Sequence, residues 1–372
     1  MLDIERMNNP FNEDKVVSNC SIFGMMDMSG RRLEGRPVFE AMANMRERSN
    51  GLGGGFAVYG LYPDNSEDYA FHAMFDSNEG KSLTEAELSD CFQIVGNEEI
   101  PTSPDPSVED PPILWRFFVR PPKDAGEDFK DLVARVVTKI NSTVKDAFIF
   151  SAARNMGVFK GIGFPEDLAR FYRLEDYKGY MWLSHGRFPT NTIAWWGGAH
   201  PFSILDWSVV HNGEISSYGA NKRFVEDNGY RCNFFTDTEV VAYAVDLLVR
   251  RHGLSMELAT RALAPRLWDD IDRMPPAERR LNTALRSSYA GLLLNGPFSV
   301  IIGREGEMVG LTDRIRLRPL TAGLAGDVLY LSSEEAPIRL VNGKLDRVWS
   351  PRGGAPIIGR LGEGLVPANG GS

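Results

Sequence analysis

Apolar positions along the chain alternate between two periods, and each change of period marks a change of element. Ser21-Ile-Phe-Gly-Met-Met-Asp-Met28 is a near-continuous apolar run, the pattern of a strand buried on both faces. Over Arg36–Arg48, Val38, Met42 and Met45 fall on one helical face with Ala41 beside them, and Pro37 suits a first turn, so a helix is predicted. Ser49-Asn-Gly-Leu-Gly-Gly-Gly55 breaks that helix, and strands are expected over Phe56–Tyr62 and Tyr69–Phe75. The pattern then predicts helices over Glu85–Ile94, Glu127–Ile140 and Pro165–Arg173, and strands over Ile113–Val119 and Ala147–Ala152. Pro101–Pro112 is too rich in proline to hold regular structure. Tyr180–His185 and Trp207–His211 read as buried strands, each delivering a polar cluster at its end.

Helices follow over Ser216–Asn228 and Thr236–Arg251, the second with Thr236 as N-cap and Glu239 three residues on, the spacing of a capping box. Two further helical segments run to about Leu285, and Phe298–Gly303, Met308–Thr312 and Val328–Ser332 read as strands. The polar stretch 1–19 reads as a poorly ordered leader, and the Gly- and Pro-rich tail from Pro351 as an extended arm. Strands in clusters with helices between them, without strict strand–helix alternation, favour a layered α+β sandwich over a doubly wound sheet.

Composition narrows the function classes. A net charge of −9 with no basic run or basic helix face argues against nucleic acid as the main partner. Three cysteines with no CxxC pair make a disulfide scaffold or zinc ribbon a poor fit, and the spacing of His185, His200 and His211 matches no zinc pattern, so no metal site is expected. The N-terminus lacks the apolar core of a secretory signal, and no window approaches the ~20 apolar residues of a spanning helix. The expectation is a soluble cytoplasmic protein with no membrane partner. The Gly53–Gly55 run follows a helix and precedes a strand, the reverse of a dinucleotide fingerprint, and suits a close backbone approach better than a phosphate loop.

The chemistry concentrates at the strand ends. Arg187-Phe-Pro-Thr190-Asn191 offers a guanidinium with a hydroxyl and an amide nearby, able to clamp a carboxylate. His211-Asn212-Gly213-Glu214 offers a side-chain NH2 and an unobstructed backbone N–H, the donors of an oxyanion hole, although Asn-Gly by itself is more often a tight turn. Cys20, just before the first apolar run, is the candidate nucleophile; alone it would read as an inert core thiol, as Cys91 and Cys232 do. Asp237 alone would be a first-turn acid favoured by the helix dipole, and Arg187 alone a surface ion pair. Trp195, Trp196 and Trp207 suit packing or a mobile lid.

Taken in order, Cys20-Ser-Ile-Phe-Gly, His185-Gly-Arg-Phe-Pro-Thr-Asn-Thr192, His211-Asn-Gly-Glu-Ile215 and Thr236-Asp-Thr-Glu239 resemble a class II glutamine amidotransferase domain. Ser151-Ala-Ala-Arg, Val158-Phe-Lys-Gly161, Pro165-Glu-Asp-Leu and the run through Trp195 make the resemblance strongest to the amidotransferase part of glutamate synthase. The resemblance implies a four-layer αββα sandwich of the N-terminal nucleophile hydrolase type. It divides the chain into a leader at 1–19, an amidotransferase domain at 20–345 with an insert at about 80–178, and a tail at 346–372. It further implies removal of the leader, so that Cys20 begins the mature chain with its own α-amine as base. An amine with a reference pKa of ~7.7–8.0 suits that task near neutral pH.

Carried over residue by residue, Cys20 is the nucleophile and Asn212 and Gly213 form the oxyanion hole. Arg187 binds the glutamine α-carboxylate, Thr190 and Asn191 line the same pocket, Asp237 takes the α-ammonium, and Arg48 lies near the nucleophile. Ser-Asn-Gly after Arg48 departs from the related pattern. The resemblance also implies a separate ammonia-using partner: a glutamate-synthase-like subunit carrying FMN and an iron–sulfur cluster, with a small glycine-rich subunit, and no cofactor on this chain. The alternatives are an amidotransferase subunit serving another acceptor, such as N-methylglutamate synthesis, a stand-alone glutaminase, or a non-catalytic glutamine-binding regulatory subunit.

Overall fold

A computed structural model of the protein describes residues 20–122, 129–187, 194–234 and 236–367. Two antiparallel sheets form its centre. The first has seven strands in the order Arg347–Trp349, Thr321–Ala325, Val328–Ser332, Ser21–Asp27, Met181–Gly186, Gly54–Tyr59 and Met156–Gly161. The second has six, in the order Phe202–Ile204, Trp207–Gly213, Phe298–Arg304, Glu307–Thr312, Ile357–Arg360 and Gly364–Leu365.

The sheets pack face to face because their strands alternate cleanly. Ile301 points into the space between them, while its neighbours Val300 and Ile302 point outward under the helices. Gly24, in the middle of the first strand, leaves no room for a Cβ: Met308 Sδ would lie 2.9 Å from it and Ile301 Cγ2 3.3 Å. Helices Arg36–Asn44, Pro165–Phe171 and Glu335–Val341 cover the outside of the first sheet. Asp237–Val245 covers the second, burying Val240, Val241 and Val245 in a cluster with Val209, Val300 and Ile302. The result is an αββα sandwich, as expected.

A four-stranded sheet stands beside it, ordered Gln93–Glu99, Ile113–Arg120, Tyr69–Phe75 and Ala147–Arg154, with helices Asn78–Cys91 and Phe129–Thr143 closing a third apolar cluster around Phe71, Phe75, Phe117 and Ile140. This excursion occupies 69–154, whereas the sequence places the insert at about 80–178. Met156–Gly161 already belongs to the central sheet, and strands of both sheets carry the same local pattern. Gln93–Glu99 escapes sequence reading because it is an edge strand with mostly solvated side chains. The Asn78–Cys91 helix starts earlier than its apolar pattern suggests because Ser77 caps the Gly80 N–H at 3.1 Å.

The predicted helix over Thr236–Arg251 is α-helical to Val245 and π-helical over Asp246–Arg251. Asp246 is fully buried, accepts from Trp207 Nε1 (3.1 Å) and Tyr230 OH (2.5 Å), and pairs with Arg250 (2.7 Å), which ties the widened turn to the sheet. The expected helix over Arg36–Arg48 likewise changes after Asn44 to a 3-10 turn at Arg46–Arg48. The tail does not project as an arm: Ile357–Arg360 pairs with Glu307–Met308-Val309-Gly310, burying Ile357 and Ile358. The leader lies outside the described residues. Among the described residues, no helix is long and apolar enough to cross a membrane.

Candidate active site

The site forms where three strand ends meet at one edge of the two central sheets. In the first sheet, antiparallel pairing of Ser21 with Gly186 sets Cys20 beside Arg187, one step beyond the last paired residues. Burial lowers the Arg187 guanidinium from its ordinary value, with the Cys20 thiol acting in the opposite sense, so the two groups lie within electrostatic reach. Arg187 is 8% exposed, and its backbone is held from both sides: its N–H donates to Gly53 O (2.8 Å) and its carbonyl accepts from Asn50 N–H (3.3 Å). Here the glycine run serves close approach. At Gly55 a Cβ would stand 2.4 Å from His200 O and 2.7 Å from Phe159 O.

Arg48 donates Nε–H to the Cys20 carbonyl at 3.3 Å and pairs with Glu334 at 2.5 Å. It therefore grips the candidate nucleophile through its backbone, in the neighbourhood that sequence assigned to it.

The second sheet contributes Asn212 and Gly213 at the end of Trp207–Gly213. Gly213 has φ +133°, and an added Cβ would sit 2.0 Å from Pro297 O, so only glycine fits. Asn212 is fully buried; its amide meets Ser333 Oγ at 3.1 Å, and its Oδ1 has no partner among the described residues. Ser333 also accepts from Ile22 N–H at 3.2 Å. One hydroxyl thus joins the Cys20 strand to the Asn212 strand across the two sheets.

Asp237 opens its helix just behind this edge. Its Oδ2 accepts Ile215 N–H at 2.9 Å, and its Oδ1 lies 3.3 Å from His211 Nδ1 and 3.2 Å from Thr238 Oγ1. Burial alone would raise the carboxyl, but His211, Ile215 N–H and Thr238 outweigh it and hold it below the usual carboxylate range. The capping box is half formed: Thr236 accepts from Thr238 N–H, while Glu239 reaches back to Asn233 N–H (2.9 Å) and Phe234 N–H (3.0 Å) instead of to the cap. Thr190 and Asn191 lie outside the described residues.

Behind Arg187 lies a buried polar layer that sequence reading misses as a unit. His185 donates Nε2–H to His211 O (3.0 Å) and stacks on His200 at 4.0 Å between ring centroids. Thr238 Oγ1 meets His200 Nε2 at 2.8 Å and His211 Nδ1 at 3.2 Å. Burial, reinforced by Arg187, pushes His185 down to about 3, so it is neutral. Lys160, 1% exposed, gives its ammonium to Gly197 O (2.8 Å), Ala199 O (2.9 Å) and Pro201 O (3.3 Å), anchoring the segment that returns from the Arg187 region. Trp195 and Trp196 pack against Phe148 and Phe171 respectively.

Ser333 and Glu334 were missed as well. They stand just past the apolar strand Val328–Ser332, and a polar cluster closing an apolar run is the signal that picks out Arg187 and Asn212.

Residues 78–346 match the family described as glutamine amidotransferases class-II. The protein belongs to that family. The match begins downstream of Cys20, so the nucleophile's assignment rests on motif and geometry. An uncharacterised protein of Archaeoglobus fulgidus is 53% identical over 354 residues, covering 94% of each chain. A putative glutamine amidotransferase of Methanothermobacter thermautotrophicus is 24% identical and covers 87% of this chain and 93% of its own. Glutamine–fructose-6-phosphate aminotransferase of Bradyrhizobium diazoefficiens is 34% identical over 143 residues, 38% of this chain and 22% of that one. Among solved structures, glutamine phosphoribosylpyrophosphate amidotransferase of B. subtilis aligns at TM-score 0.49 and 16% identity, covering 93% of this chain and 48% of that one.

Proposed function

We propose that this class II amidotransferase hydrolyses L-glutamine through Cys20 and delivers ammonia to a separate glutamate-synthase-like subunit. The observation that carries the reading is the Ser21–Gly186 register, which sets the candidate thiol beside the buried Arg187 guanidinium. A glutaminase has to hold the α-carboxylate and α-ammonium of glutamine at one end and bring a nucleophile to the side-chain amide at the other: in this reading Arg187 takes the carboxylate, Asp237 the ammonium and Cys20 the amide carbon.

In this reading the leader is removed after Asn19 and the freed α-amine of Cys20 takes the thiol proton. The thiolate attacks the substrate Cδ, forming a C–S bond, and the carbonyl electrons move to an oxyanion held by Asn212 and the Gly213 N–H. The C–N bond breaks as the protonated amine gives its proton to the departing ammonia, leaving a thioester. Water, deprotonated by the same amine, releases glutamate and restores the thiol. Arg48 steadies the Cys20 backbone, and Thr190 and Asn191 complete the pocket.

The sequence resemblance across Ala147–Trp195 supports the glutamate-synthase-like partner, which would carry FMN and an iron–sulfur cluster, with a glycine-rich subunit beside it. The acceptor is then 2-oxoglutarate.

Intact mass before and after an electrophilic glutamine analogue tests the catalytic half. A chain beginning at Cys20, with one adduct on it, is expected; an intact leader and no adduct would mean an unactivated precursor or a glutamine-binding subunit, and would withdraw the catalytic claim. Mixing with the partner tests the other half: 2-oxoglutarate should stimulate glutamine turnover. Full-rate turnover by the chain alone would overturn the channelling claim.

A further inference from the structure

The oxyanion-hole residue carries an unbalanced hydrogen-bond account. Asn212 is 0% exposed, so each polar atom of its amide needs a partner. Nδ2 faces Ser333 Oγ at 3.1 Å, and the buried Oδ1 has no partner among the described residues. Ser333 Oγ meanwhile receives the Ile22 N–H at 3.2 Å, so a second donor from Asn212 leaves the hydroxyl's own proton to be placed elsewhere.

Turning the amide by half a rotation gives the Ser333 proton an acceptor and leaves the NH2, in place of the carbonyl, as the group whose partner a bound oxyanion would supply. Ser333 O–H then donates to Asn212 Oδ1, Ile22 N–H still donates to Ser333 Oγ, and Nδ2 is released from Ser333 to face the position Oδ1 occupied. Amide oxygen and nitrogen are assigned from their hydrogen-bond network, and here the Ser333 proton, which needs an acceptor, favours the turned form.

Catalysis requires the same orientation. A carbonyl oxygen facing a tetrahedral oxyanion would repel it, whereas an NH2 stabilises it. We infer that Ser333 is a positioning residue that sets the Asn212 amide, carbonyl toward Ser333 and NH2 toward the reacting centre. It is well placed for this. Its N–H donates to Ile22 O at 3.1 Å, so the Cys20 strand holds its main chain and side chain together, and it is 1% exposed. The nucleophile strand and the oxyanion donor are thereby registered to each other through one hydroxyl, across two sheets.

This inference rests on the glutaminase reading, and the test separates the two. Glutamine hydrolysis is measured on the mature full-length chain for wild type, Ser333→Ala, Asn212→Ala and the double variant, with thermal melts alongside. Ser333→Ala is expected to lower kcat about 10- to 100-fold with KM within about twofold, a fraction of what deleting an oxyanion donor costs. In the Asn212→Ala background the same change should alter kcat less than about twofold, because no amide remains to orient; a merely structural role would persist there. Ser333→Cys keeps the size with a weaker donor. It should lose activity to an intermediate degree, and it serves as the readout if Ser333→Ala does not fold. Folded Ser333 variants with unchanged kcat, in an active wild-type background, would overturn the inference and leave the glutaminase reading intact. A mature wild type that does not hydrolyse glutamine would overturn the reading, and this inference with it.

Discussion

Arg48 donates its Nε–H to the carbonyl of Cys20 at 3.3 Å while its other face pairs with Glu334. The contact fixes the backbone of the candidate nucleophile, not its thiol. Arg48→Met keeps the aliphatic stem and removes both contacts. The expected result is an about tenfold slower alkylation of Cys20 by an electrophilic glutamine analogue, with a small loss of stability, because the Glu334 partner is half-buried and water can still reach it. Alkylation at the wild-type rate would remove Arg48 from the site.

Gly213 is required by space as well as by φ. Gly213→Ala would place a Cβ 2.0 Å from Pro297 O and 2.9 Å from the Phe298 Cα, both backbone atoms. The turn must open, at a cost of about 1–3 kcal/mol from the backbone conformation alone, and the N–H proposed for the oxyanion moves with it. A variant that melts with wild type and keeps its kcat would contradict this.

Lys160 holds three carbonyls of one segment, Gly197, Ala199 and Pro201. Burial, with Arg187 adding to it, pushes its ammonium down to about 7. Lys160→Met relieves the buried charge but strands those carbonyls, each costing about 1–3 kcal/mol when left unpaired and shielded from water. The net expectation is lower stability in denaturant unfolding at pH 6 and an about tenfold rise in KM for glutamine, since the segment leads back from Arg187. An unchanged KM would confine Lys160 to folding.

Glu239 provides a pH signature. Burial raises its carboxyl to about 7 from 4.5, against the pull of Asn233 N–H, Phe234 N–H and Tyr243. Between pH 4.5 and 7 the folded protein holds a proton that the unfolded chain has released, so stability falls as pH rises through that window. The stabilisation is complete below about 4.5 and gone above about 7. Wild type should lose about 3 kcal/mol across the window relative to Glu239→Gln, whose contribution is flat in pH. Parallel stability curves for the two proteins would show that the Glu239 carboxyl titrates alike in the folded and unfolded chain.

Local pattern was enough to place most elements and to mark the polar clusters at Arg187 and at Asn212-Gly213, because period and strand-end polarity are carried within a few residues; Cys20 and Asp237 took their roles from the resemblance of the motifs in order. It could not show that Ser21–Asp27 pairs with Met181–Gly186 on one side and Val328–Ser332 on the other, nor that Ile357–Arg360 closes the second sheet. Strand pairing depends on complementary apolar faces brought together over long separations, and a single strand's alternation is the same whichever neighbour it meets. The boundary of the four-stranded excursion was hidden for that reason. Ser333 shows the limit most plainly: its hydroxyl matters only because Ile22, 311 positions away in the chain, and Asn212, 121 away, arrive beside it once the two sheets have stacked.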